Sequence, residues 1–215
     1  LKGFVPVKLD GDEEYAQTWG DTLNVSGYPT LLVLTADQKE VVRIVESVSF
    51  DEFQDVIRLA VQSSRPFSKT LELVLSGYGR DTDWQTLSYF SWDDRVKFGA
   101  DTTKDIVAKK HLADLVPSNL HRERSIFAAR LIKSLSEYEG KDARVLEVIQ
   151  EVRASAHLYT ESIFDNEETI LAARPVILYD AKTIIPWIYP RADEDRRIEL
   201  IDSWTQAANM IRACT

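Results

Sequence analysis

Apolar positions along the chain change period several times, and each change marks an element. Residues 4–10, "FVPVKLD", set Phe4, Pro6 and Lys8 against Val5, Val7 and Leu9, which predicts a strand running into a loop. Pro6 has no N–H for a ladder, so it is expected near the strand start or facing no neighbour. In "DEEYAQTWGDTLNV" Asp12 is an expected N-cap, and Tyr15, Trp19 and Leu23 recur at helical spacing as one apolar stripe. Gly20 predicts that this helix is short. Leu31–Leu34, "LLVL", is a continuous apolar run, the pattern of a strand buried on both faces. After a turn at 36–39, "VVRIVES" mixes charge among its apolar residues, as a more exposed edge strand would. "SFDEFQDVIRLAVQSS" then opens with Ser49 and Glu52 in capping-box spacing and carries a stripe of Phe50, Phe53, Ile57, Ala60 and Val61.

Polar residues and a proline in "QSSRPF" predict a domain boundary there, giving 1–64 and 65–215. Beyond it the pattern is helical. Pro66 and Gly77 bracket one helix in the positions that suit a first turn and a residue past the end. Further helices are expected over "DTDWQTLSYFSWDD", "TTKDIVAKKHLADLV", "HRERSIFAARLIKSLSEYEG", a continuous "DARVLEVIQEVRASAHLYTESIF" and "DEDRRIELIDSWTQAANMIRAC". Between the last two, "PVILY" has the composition of a strand but no partner strand nearby, so a helix kinked at Pro175 is expected, with a turn between Pro186 and Pro190. Short joins between helices predict a bundle or an array of helical hairpins.

A net charge of −9 works against binding phosphate backbones, so nucleic acid is excluded as a partner. No apolar run approaches the roughly 20 residues that span a bilayer, and no membrane insertion is expected. Residues 1–14 lack the basic start, apolar middle and small-residue cleavage site of a signal peptide. Cys214 is the single cysteine, which precludes an internal disulfide and dithiol chemistry by this chain alone. His111, His121 and His157 have no metal-ligand spacing, and no phosphate-loop or nucleophile-elbow motif occurs, so no catalytic residue, cofactor or metal is assigned. Asp165–Glu168 reads as an acidic helix start, and the aromatics from Trp84 to Trp92 read as core in preference to a ligand groove.

The order strand, helix, "SGYPT", strand, strand, helix resembles the C-terminal half of the thioredoxin fold over residues 4 to 62. "KLDGDEEYAQTW", "NVSGYPTLLVLTADQKEV" and "SFDEFQDVI" are similar to thiol:disulfide interchange proteins. The resemblance implies an α/β partial thioredoxin-like fold followed by an all-α domain. It places Gly27, Tyr28, Pro29 and Thr30 in the cis-proline loop that faces an extended substrate, with Tyr28 offering its peptide groups and Pro29 shaping the loop. Protein thiol or disulfide substrates, or a redox partner, and a periplasmic location are implied; a cytoplasmic one is the alternative.

The Cys-x-x-Cys helix of that family, and the strand leading to it between those matching Phe4–Asp10 and Leu31–Leu34, are not in the sequence. The chain, which opens on Leu1, is therefore expected to be a piece of something longer and redox-inactive alone, with strand edges open to oligomerisation. Two other readings stand: a redox-inert binding module, and a helical scaffold in which the tetrapeptide is fortuitous and Leu31–Leu34 forms no sheet.

Overall fold

The computed structural model describes residues 3–25, 27–45, 48–91, 102–189 and 194–214. The chain is mostly helical with a small antiparallel sheet of two strands, and it divides into two compact units, Leu1–Ala100 and Asp101–Thr215.

In the first unit, α1 (Glu14–Thr22) precedes β1 (Leu31–Leu34) and β2 (Glu40–Ile44), which are followed by α2 (Phe50–Gln62), α3 (Phe67–Leu75) and α4 (Asp81–Tyr89). The strands pair antiparallel from Leu31 opposite Ile44 to Leu34 opposite Glu40, with an irregularity between Val33 and Leu34. That pairing departs from the purely helical scaffold. Ser49 and Glu52 form the expected capping box on α2, satisfying two backbone donors that a helix start leaves open. Gly77 follows α3 at φ +80, a conformation that costs glycine little.

Four expectations for this unit are corrected. Residues 4–10 form no strand: Val5 and Val7 are 89% and 74% exposed, and only Phe4 packs on the hairpin core. On α1 the buried positions are Ala16 and Gly20, while Tyr15 and Trp19 face outward, because the small residues permit close approach. The burial of the strands is also reversed. Only Val33 of β1 is buried, whereas β2 is buried from Val41 to Ile44, because α2, α3 and α4 pack against β2. The stripe of α2 is turned so that Val56, Leu59 and Ala60 face inward and Phe50 and Val61 outward.

The boundary expected after Ser64 falls inside this unit. Asp83 of α4 is buried and accepts hydrogen bonds from Arg65 Nη1 at 2.8 Å, the Arg80 N–H at 3.0 Å and Ser63 Oγ at 3.4 Å. A carboxylate taken out of water needs such partners, and here they join the end of α2 to α4. Trp84 and Phe90 are buried, with Phe90 stacked on Phe67 at 3.8 Å, so the described part of the aromatic run is core. Trp92 lies outside the described residues.

The second unit contains α5 (Thr102–Leu115), α6 (His121–Ser136), α7 (Ala143–Ala154), α8 (Ala156–Phe164), α9 (Glu167–Ala172), α10 (Arg174–Tyr179), α11 (Ala181–Ile188) and α12 (Glu194–Ala213). Leu131, Ile132 and Leu135 of α6 stand at its centre, with Val152, Ile163 and Trp204 in the same cluster. The helix expected over 142–164 is broken at Ser155, whose hydroxyl donates back to the Glu151 carbonyl at 2.8 Å. Such back-bonding competes with the helical ladder and bends it. "PVILY" is helical, with Pro175 in the first turn of α10, where its missing N–H does no harm. Pro186 falls within α11, not at a turn. Several buried polar groups are paired: Lys109 with Asp105 and Ser134, Ser125 with the Thr169 carbonyl, and Trp204 Nε1 with the Ile177 carbonyl. Burial, then the Asp114 carboxylate 2.7 Å away, pushes the Tyr159 phenol above its ordinary range.

Candidate functional site

The loop between α1 and β1 is held by a residue of β2. Arg43 is 1% exposed, and its guanidinium binds Glu40 and donates to the Leu23 carbonyl and, at 2.9 Å, to the Asn24 carbonyl. Those two carbonyls end α1, where the ladder leaves acceptors open, so one buried cation satisfies them and fixes the helix end to the hairpin. Asn24 itself adopts a positive φ of 52, and the Val25 N–H returns to the Gly20 carbonyl at 2.8 Å. The chain leaves that cap already turned toward β1.

Within the loop, Thr30 Oγ1 donates to the Gly27 carbonyl at 2.5 Å, closing a turn around Tyr28 and Pro29. The Tyr28–Pro29 peptide is cis. Tyr28 is 62% exposed yet not loose: a Cβ on Gly11 would stand 2.8 Å from the Tyr28 Cζ, and one on Gly20 would stand 3.4 Å from its hydroxyl. Glycine at 11 is therefore what lets the ring lie flat on the chain ahead of α1. Gly27, Tyr28, Pro29 and Thr30 thus come together as one surface turn leading into β1.

Sequence reasoning missed Arg43, Gly11 and Gly20. The available signal was an arginine inside an apolar strand run, which the sequence reading takes for an exposed edge. Among the described residues β1 pairs only with β2.

The remaining candidates are placed apart from the loop. His121 Nδ1 lies 3.3 Å from Asp165, at a cavity of about 220 Å³ that Arg124, Leu158, Glu161 and Ser162 also line. Asp165 also accepts from Asn166, which caps α9, so the acidic run serves a helix start. Neither His111 nor His157 joins this cavity, and among the described residues no three His, Cys, Asp or Glu side chains are grouped to hold a metal. No described helix is long and apolar enough to cross a membrane. Cys214 is exposed. No protein-family model, curated protein or solved structure matches the chain.

Proposed function

We propose that residues 4–62 are the substrate-facing half of a thioredoxin-like thiol:disulfide oxidoreductase domain, with the helical unit positioning partners. The observation that carries this reading is the Gly27–Thr30 turn, exposed and anchored, feeding a strand that among the described residues is paired along one edge. Phe4–Leu9 holds the chain position of that fold's preceding strand, although it forms no strand here. In the fold that the sequence resembles, the strand seated between those two segments leads to Cys-x-x-Cys. The step implied is attack of a thiolate from that segment on a substrate disulfide, which forms a mixed disulfide and releases the other substrate sulfur as a thiolate, while Tyr28 and Pro29 align the substrate backbone. Periplasm is the compartment this chemistry suits.

The lone cysteine supports a second reading, a redox-inert binding module built on the same loop. Insulin reduction by this chain and by the full-length gene product separates them. The oxidoreductase reading expects activity in the gene product and none in this chain. Activity in neither leaves the binding module, and equal activity in both overturns the assignment of the thiols to another segment.

A further inference from the structure

The outward face of α1 has the composition of a docking surface. Tyr15 and Trp19, 54% and 44% exposed, are one helical turn apart and so share a face. Two large aromatics on one exposed helix face are more apolar area than folding needs there. Flanking them in the chain stand Asp10, Asp12, Glu13, Glu14 and Asp21, all exposed, and among residues 3–25 the one cation is Lys8. None of the five forms an ion pair with a described residue. The aromatic faces attract cations, and the carboxylate rim adds to that attraction.

We infer that this face binds a basic, extended polypeptide segment, whose lysine or arginine side chains lie over Tyr15 and Trp19 while their charges meet the carboxylate rim. Polyanions are repelled by the same rim. A second copy of the chain is disfavoured, because it would set carboxylates against carboxylates on a molecule of net charge −9. The inference goes beyond thiol chemistry and needs none, so it stands or falls apart from the oxidoreductase reading.

The test uses the 215-residue chain and a labelled peptide of about twelve residues with arginine at every third position among glycine and serine, followed by fluorescence anisotropy at about 50 mM salt. The arginine peptide is expected to bind and its glutamate counterpart not to. Neutralising the rim with Glu13→Gln and Asp21→Asn should weaken binding about fivefold, while neutralising the distant pair Glu139→Gln and Glu147→Gln leaves it within about twofold. Tyr15→Ser with Trp19→Ser should weaken it about tenfold, with an unchanged circular dichroism spectrum as the folding control. If that double variant does not fold, the two charge pairs decide alone. Equal losses from the rim and distant pairs, or equal binding of both peptides, would overturn the proposal. So would a self-association that the serine variants abolish, which would give the face to a second copy.

Discussion

Set side by side, the two units bury their apolar surface to different degrees. From α5 through α12 the helices share one contiguous core, and their buried lysine, serine, threonine and tryptophan groups find partners inside it. The hairpin unit packs one side of β2 well, through Val41, Val42, Ile44, Val56 and Ala60, yet leaves Val5, Val7, Tyr15, Trp19 and Tyr28 in water. The helical unit spends its apolar residues on itself. The hairpin unit keeps a reserve beside its loop, and such a reserve on a folded surface marks a place of contact.

The comparison yields predictions graded by size. Leu131→Ala, at a fully buried position of α6, should destabilise by about 4 kcal/mol in denaturant unfolding, because the closed helical core cannot collapse into the space. Arg43→Ala should cost about 3 kcal/mol by the same measurement, since it leaves Glu40 and two carbonyls without their cation. Val56→Ala in α2 should cost about 2 kcal/mol. Trp19→Ser should change stability by less than about 0.5 kcal/mol despite removing a tryptophan. A loss of 2 kcal/mol or more there (about half a core leucine) would mean that the α1 face is internal support, and the contrast between the units would break.

The smallest effect belongs to the hairpin turn. The Lys39 ammonium beside Asp37, then the Thr35 hydroxyl, lower the Asp37 carboxyl to about 2 from its ordinary 3.8. A depressed carboxyl stabilises the folded state above its unfolded value and loses that contribution as pH falls through its folded one. Asp37→Asn should therefore lower neutral stability slightly and flatten, by the same small amount, the change in melting temperature between about pH 4 and pH 2, since the pair is exposed.

Much of the local structure was legible because it depends on neighbours in the chain. Ser49 with Glu52, Pro66 with Gly77, and the apolar runs on either side of 36–39 each state their own geometry. Burial was less legible, since it depends on which surfaces meet. Arg43 has the chemistry of an exposed residue and becomes interior only because Glu40 and the end of α1 meet it there. Trp19 has the chemistry of an interior residue, but Gly20 and Ala16 occupy the packed face. The contacts of "SSRP" were hidden for a related reason: the stretch reads as a linker until Asp83 is seen to bind Ser63 and Arg65. The proline loop was found from its residues, whereas its supports were not, because Gly11 and Arg43 lie far from it in sequence.

The guanidinium of Arg43 makes the loop conditional on the strands. Until β2 has docked, nothing holds the Leu23 and Asn24 carbonyls, and the Gly27–Thr30 turn has no fixed starting direction. Loop and hairpin should consequently be gained and lost in one event, with the Val25 amide exchanging its hydrogen no faster than the amides of the sheet in the native chain.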